Sequence, residues 1–271
     1  MKRKIRRWVA YLFIQALILF TRLMPRQRGL AFFAFLGGVA HRSYRKDFIA
    51  LARNAYDALR LIYLPKGKIL RLCAVEGEEH LAGALRSGRG IIGLTGHIGC
   101  WELLAAYFSS KGYPVSVIYR DMKDERLESL LVGMRRRHGV TSIPRGASAL
   151  SAYKALKRGE ILAMLIDQDI DVDGLFVPFF GVPAHTPRGA AAFALRSGAA
   201  IVPLAIHMQP DGSHRVTVLP ELEKPSADLP EGERIDELTR SCARAVEGLI
   251  RIYPQQWVWF HDRWRKGEQV S

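Results

Sequence analysis

Short apolar runs alternate with helix-period stretches over most of the chain. Ile91 to Leu94 is a continuous apolar run that breaks at Thr95 and Gly96, and a helix-period pattern starts near Trp101, so a buried strand hands over to a helix. The alternation then recurs. Val115 to Tyr119 is strand-like, Asp124 to His138 is a basic helix ending at Gly139, and Val140 to Ile143 is a short strand. Ala147 to Arg158 is a helix closed by Gly159, and Ile161 to Ile166 is a strand. A loop marked by Pro and Gly follows, then a helix from Pro187 to Ser197 and a strand from Ala200 to His207. This order predicts an α/β fold: a mainly parallel sheet flanked by helices, with ligands gathering at the carboxyl ends of the strands.

Upstream, Arg42 to Leu70 reads as helical and Glu76 to Ala84 as another helix, with Gly88 and Gly90 turning the chain into the Ile91 strand. The first seven residues carry five basic side chains, and Trp8 to Thr21 is a run of fourteen residues without a charge. At 1.5 Å per residue that run covers about 21 Å. The hydrocarbon core is ~30 Å thick, so a full span needs Arg22 and the leader to snorkel. Residues 1–25 are therefore expected to form a basic leader and membrane-anchor helix, spanning or lying on the membrane, with a cytoplasmic N-terminus, and residues 26–271 to form one domain. No small-residue cleavage site follows the run. Leu30 to Ala40, rich in Phe and broken by Gly37 and Gly38, reads either as an interfacial hairpin partner or as the first core helix. Near the C-terminus, an amphipathic helix from about Arg234 to Ile252 precedes Trp257-Val258-Trp259-Phe260-His261-Asp262-Arg263-Trp264, an aromatic and basic ending suited to core packing or to a membrane interface.

Composition narrows the partners. The chain has 271 residues, 49% hydrophobic, and a formal charge of +14. Such a balance suits an anionic membrane, a phosphorylated lipid or an acidic carrier protein. No nucleic-acid motif accompanies the charge, so nucleic acid is not an expected partner. Cys73, Cys100 and Cys242 are odd in number and widely spaced, neither a disulfide framework nor a zinc pattern.

The chemistry gathers at strand ends. His97 and Glu102 flank a strand-to-helix turn; on an unbroken helix they would lie roughly 140° apart. Gly96 and Gly99 give the backbone room to bend so that the carboxylate reaches the imidazole, fixing its tautomer and leaving a general base. Arg145, in Ser142-Ile143-Pro144-Arg145-Gly146, and Arg120, after Tyr119, are candidate phosphate forks. Asp167-Gln168-Asp169 follows a strand. Thr186 is a candidate N-cap and Pro187 a candidate first helical residue, with Arg188 adding charge at an anion-binding helix start. Phe179 and Phe180 form an apolar wall, and Arg135-Arg136-Arg137 a basic helix terminus that could also meet an acidic carrier. Other classes remain open at this point. His97, Glu102, Asp167, Asp169 and His185 are hard ligands for a metal-dependent hydrolase, Cys100 is an alternative nucleophile, and the basic surface alone would serve a non-catalytic lipid-binding protein. No Gly-x-Ser-x-Gly elbow supports a serine acyl-enzyme.

His-Ile-Gly-Cys-Trp-Glu, residues 97–102, resembles the His-x4-Asp/Glu motif of the glycerolipid and lysophospholipid acyltransferases. Its surroundings resemble most the bacterial lipid A lauroyl/myristoyl acyltransferases, where the block reads His-x-Gly-Asn-Trp-Glu. Cys100 stands at the Asn position, a departure that bears on the acceptor and not on the base. The stretch around Arg145 resembles the family's second block. Asp167-Gln168, Phe179-Phe180-Gly181 and Thr186 resemble the third, and Ile201-Val202-Pro203-Leu204 the fourth. The C-terminal Trp-x-Trp-x-His-x-Arg stretch is similar to the family's ending. The resemblance implies acyl transfer from an acyl carrier protein or CoA thioester to a hydroxyl of a phosphorylated lipid A precursor, at the cytoplasmic face of the inner membrane. It implies His97 and Glu102 as catalytic residues, and Arg120, Arg145, Asp167, Gln168, Thr186 and Arg188 as substrate-binding residues, with no metal and no cofactor. A lysophospholipid or mannoside acceptor is the alternative within the same fold.

Overall fold

The computed structural model describes residues 2–40, 44–86, 88–145 and 148–265. A seven-stranded sheet has the order β1-β9-β8-β2-β5-β3-β4. Its centre is β2 (Ile91–Thr95), paired in parallel with β5 (Ile161–Leu165) on one side and β8 (Ala200–Met208) on the other. Beyond β5 come β3 (Val115–Tyr119) and β4 (Val140–Pro144), also parallel. The antiparallel pairing in this sheet is β8 with β9 (His214–Val218), and β1 (Cys73–Glu76) adds in parallel at the edge. β2 and β8 are buried at every position, as unbroken apolar runs in a sheet covered on both faces require.

Two cores result. On one face α4 (Lys66–Leu72), α5 (Glu78–Arg86), α6 (Trp101–Ser110) and α7 (Glu125–Arg137) pack against Ile91, Val115, Val117 and Leu204. On the other, α8 (Ser148–Lys157), α9 (Gly189–Ser197) and α10 (Glu231–Ile252) pack against Ile92, Leu94, Leu162 and Ile201.

Several boundaries differ from the sequence reading, each for a local reason. The stretch read as helical from Arg42 to Leu70 is α3 (Arg45–Arg60) and then α4, because Pro65 sits at the N-cap of α4 with extended backbone; Arg42 lies outside the described residues. The helix expected from Ala147 is seen from Ser148, Ala147 also lying outside them. The helix expected from Glu76 starts at Glu78, since Glu76 closes β1. The loop after Ile166 holds a hairpin, β6 (Gly174–Phe179) with β7 (Val182–Pro187), so the next helix begins at Gly189 instead of Pro187.

Of the two expectations for the N-terminal helix, spanning or lying on a membrane, the first is corrected as well. α1 (Lys2–Leu23) forms, but among the described residues no helix is long and apolar enough to cross a membrane. α2 (Arg26–Ala40) follows and lies on α3, where Gly29 leaves room for the Tyr56 ring. It is both a core helix, through Leu30 and Phe33, and a helix with an exposed apolar face, through Phe35 and Val39.

Candidate active site

His97 lies two residues past the end of β2 and Asp167 two past the end of β5, and in the parallel pairing Thr95 is opposite Leu165. Register alone therefore sets the imidazole beside the carboxylate at the carboxyl edge of the sheet. His97 Nδ1 is 2.8 Å from Asp167 Oδ1, and the His97 backbone N–H donates to Oδ2 at 2.6 Å. Trp257 Nε1–H donates to the same Oδ2 at 2.7 Å. Burial pushes the Asp167 carboxyl up, but the charge of His97 and the hydrogen bonds from His97 and Trp257 outweigh it and hold the group below its ordinary value. An ionised Asp167 accepts a hydrogen bond from Nδ1–H, which fixes that tautomer and leaves the lone pair on Nε2, the atom able to accept a proton.

The two glycines have separate tasks. A Cβ on Gly96 would stand 2.9 Å from Asp167 Oδ2, so glycine is what lets the carboxylate approach. Gly99 has φ +57°, and a Cβ there would strike the Ile206 carbonyl.

That bend does not bring Glu102 to His97. Glu102, in the first turn of α6, pairs with Arg135 of α7 at two points, 2.9 Å to Nε and 2.5 Å to Nη2. The turn instead docks on the C-terminal segment: Gly99 N–H donates to the Gln256 carbonyl at 2.9 Å, and Val258 N–H to the His97 carbonyl at 3.1 Å. Trp257 is buried, so its part of the aromatic ending is core packing that reaches the active residues.

Gln168 bridges two rings: its Nε2 is 3.4 Å from His97 Nε2 and 3.2 Å from His261 Nδ1. The His97 and His261 rings stand 4.8 Å apart. Among the described residues, His97, Asp167 and His261 form a group whose ligand atoms lie within 4.8 Å of one another. Both oxygens of Asp167 accept hydrogen bonds, and the Gln168 amide lies within 3.4 Å of one ring and 3.2 Å of the other, so these atoms already engage one another. The five hard ligands named from sequence do not converge, since Glu102 pairs with Arg135 and His185 with Asp169 at 3.4 Å. Cys100 is 2% exposed in the core under α6, and burial pushes its thiol well up, which removes the alternative nucleophile.

Two further expectations change. Thr186 does not cap a helix. It ends β7's buried stretch and accepts from Arg263 Nη2 at 2.6 Å, while Arg263, stacked 4.8 Å over Phe179, also donates to the His185 carbonyl. Burial lowers the Arg263 pKa to about 10 against the opposing charges of Asp167 and Asp169. Arg188 is matched by Asp236 at 2.6 Å and Asp173 at 2.9 Å, and so is not an open anion clamp.

A cavity of about 550 Å³ opens beside His97. Val117 belongs to the core under α6 and Ile118 packs on the opposite core, and both line the cavity, which therefore wraps around the ends of the central strands. One arm, under α6, is walled by Gly93, Leu104, Ala105, Phe108, Ile161 and Leu204. The other carries Gln168, Met164 and Phe193, and Arg120, Arg145 and Arg188 stand along it. Glu102 and Arg135 line the same cavity. From sequence Asp167 reads as a substrate contact or as a hard metal ligand and not as the partner of the His97 ring; the equal offset of His97 and Asp167 from two neighbouring strand ends was the signal for their pairing. For Trp257, Gln256 and His261 no local pattern pointed to the base, because their approach depends on the fold of the tail.

An apolar arm and a cationic arm beside a carboxylate-paired imidazole suit an enzyme that joins a lipid chain to an anionic partner, and the relatives narrow this to one class. Residues 41–266 match the model of the bacterial lipid A biosynthesis acyltransferases. A phosphatidylinositol mannoside acyltransferase of Mycolicibacterium smegmatis is 25% identical over 224 residues, covering 81% of this chain and 71% of that protein. The lipid A biosynthesis lauroyltransferase of Escherichia coli K12 is 28% identical over 226 residues, with the same coverage of 81% and 71%. A phosphatidylinositol mannoside acyltransferase of Mycobacterium tuberculosis H37Rv is 23% identical over 194 residues, 70% of this chain and 59% of that protein. The class is thus that of the acyltransferases, and the molecule is an enzyme. Within it, the chain belongs to the bacterial lipid A biosynthesis acyltransferase family.

Proposed function

We propose that this enzyme transfers a fatty acyl chain from an acyl carrier protein or CoA thioester to a sugar hydroxyl of a phosphorylated glycolipid, a lipid A precursor, by direct attack. The observation that carries the reading is the His97–Asp167 pair, 2.8 Å apart at the meeting point of an apolar and a cationic arm. His97 Nε2 takes the hydroxyl proton as the oxygen attacks the thioester carbonyl carbon. The tetrahedral oxyanion collapses, the C–S bond breaks, and the leaving thiolate recovers the proton from His97. Gln168, whose amide nitrogen lies 3.4 Å from the base, is the side-chain donor to the oxyanion, commonly the largest catalytic contribution. The apolar arm holds the acyl chain, and Arg120 and Arg145 receive the acceptor's phosphate. Glu102 acts at one remove, neutralising Arg135 and fixing it along the cavity. The relative from Mycolicibacterium smegmatis, matched over an equal share of the chain, favours a mannosylated inositol phospholipid as the second acceptor reading.

The site works at the cytoplasmic face of the inner membrane, held there peripherally, with residues 1–25 as the leading docking element. Ile5, Trp8, Val9, Leu12, Phe13, Leu19 and Leu23 recur at helical spacing along α1 and are exposed, as are Phe32, Phe35, Leu36 and Val39 along α2. Arg126, at the start of α7, stacks 4.1 Å over Trp8, and Glu128 of the same helix accepts a 3.1 Å hydrogen bond from the hydroxyl of Tyr119, which lines the cavity.

The test is transfer by the purified protein in detergent from acyl carrier protein and CoA thioesters to a tetra-acylated lipid A precursor, a lysophospholipid and a phosphatidylinositol mannoside, read by mass spectrometry. Addition to the lipid A precursor, lost in His97→Ala by about 10²–10⁴-fold, is expected. Near-normal turnover in His97→Ala would remove the base, and addition to another acceptor alone would move the substrate while keeping the chemistry.

A further inference from the structure

Gly93 occupies the middle of β2, the central strand, between Ile92 and Leu94, each fully buried. A glycine within a strand weakens it and marks a bulge or a place where something must come close. Here there is no bulge: Gly93 is in register with Ala163 on one side and Val202 on the other, and its φ is not positive. Nor does a neighbouring backbone demand it. A Cβ at Gly93 would meet Ile161 Cγ2 at 3.2 Å and Leu204 Cδ2 at 3.3 Å, whereas the nearest backbone atom, Ala163 Cα, is 3.8 Å away. Both crowded side chains line the apolar arm of the cavity, as does Gly93 itself. A methyl group at this position would therefore crowd two walls of the arm, and the glycine lets Ile161 and Leu204 stand where they do.

We propose that Gly93 sets the length of acyl chain the enzyme accepts, its bare Cα allowing Ile161 and Leu204 to stand back as the walls that the chain's end meets under α6. The inference rests on the acyl-transfer reading. It commits to a hydrocarbon chain as occupant because Leu104, Phe108, Ile161 and Leu204 present carbon only, and because the arm is continuous with the cavity at His97. A Cβ here would press on two side chains that are themselves the walls, so it narrows the arm without touching His97, Asp167 or the cations.

The experiment pairs two readouts on wild type, Gly93→Ala and Ile161→Val. An equimolar pool of saturated straight-chain thioesters in even-carbon steps is offered with the glycolipid acceptor, and the product chain lengths are read by mass spectrometry. In parallel, a pool of the corresponding free fatty acids is offered and the retained acids are read by native mass spectrometry. In Gly93→Ala the longest chains that wild type uses should fall about tenfold or more relative to shorter ones, the scale of one methylene in an apolar pocket. Ile161→Val, which deletes one methyl and keeps the fold, should move both profiles toward longer chains. Transfer with profiles unchanged in both variants would overturn the role of Gly93 and leave the acyl-transfer reading standing. A shifted fatty-acid profile with no transfer by wild type would do the reverse. If Gly93→Ala fails to fold, Ile161→Val decides alone, and an unshifted profile there counts against the proposal.

Discussion

An imidazole base needs a partner that is ionised and held still, and Asp167 satisfies both through three donors, the His97 ring, the His97 backbone N–H and Trp257 Nε1–H. Glu102 satisfies neither for His97, because its carboxylate is engaged by Arg135 on another helix. The two carboxylates should therefore separate under substitution. Asp167→Asn removes the charge that holds the tautomer and should lower kcat/KM on the order of 10⁴-fold, the scale of tautomer loss in a comparable base–carboxylate pair. Glu102→Gln leaves that pair intact and strands Arg135, which is 9% exposed, so stability should drop on the order of 3 kcal/mol, with a smaller loss of turnover. Steady-state kinetics and melting temperatures of both variants decide it: a larger kinetic loss in Glu102→Gln would return the orienting of the base to Glu102.

At the level of elements, the strands with unbroken apolar runs, β2, β5 and β8, were legible from sequence, and so was the order of helices between them. β1, β9 and the hairpin were not. β1 has four residues of alternating burial, β9 carries His214 and Arg215 among its apolar positions, and the hairpin contains three prolines, so none has the length or pattern that separates a strand from a loop. The site was legible in its residues but less so in its pairings, because pairing follows sheet register and the return of the tail. The α2–α3 attachment is another such case. Asp57 of α3 accepts from Arg26 of α2 at 3.0 Å and 2.5 Å and sits 2.9 Å from His214 Nε2 of β9, and Arg26 also donates to the Gly212 carbonyl at 2.6 Å. Burial pushes the Asp57 carboxyl up, but the hydrogen bonds and charges of His214 and Arg26 outweigh it and keep its pKa below the ordinary value. With the folded value below the unfolded one, the anchor's stabilisation is complete above about pH 4 and is lost as pH falls through the folded value. Hydrogen exchange should find α2 protected at mildly acidic pH and opened well below pH 4. Asp57→Asn should open it at both, with a stability loss of about 3–5 kcal/mol. Protection of α2 that persists in Asp57→Asn would mean that helix packing alone holds the attachment.

Over the whole molecule, the proposed peripheral attachment draws on the charge of +14 and on the exposed apolar stripes of α1 and α2 together. A stripe of this size on a soluble surface is a liability unless something covers it, and the Arg residues along the same two helices, Arg6, Arg7, Arg22 and Arg28, select what does. An anionic bilayer supplies both a hydrocarbon boundary for the stripes and a negative potential for the cations, worth about 1 kcal/mol per basic residue near the surface. Neither element need cross: α1 lying in the interface buries its face and keeps Trp8 against Arg126. Co-sedimentation with vesicles should therefore find strong binding to anionic lipid that weakens as salt rises, and little binding to zwitterionic lipid. Leu12→Glu combined with Phe35→Glu, on exposed positions of the two helices, should weaken vesicle binding at least about tenfold while turnover on detergent-solubilised substrate stays near that of wild type. Equal binding to neutral and anionic vesicles would assign the attachment to the apolar faces alone. Unchanged binding by the double variant would assign it to charge elsewhere, leaving the stripes for a protein partner to cover.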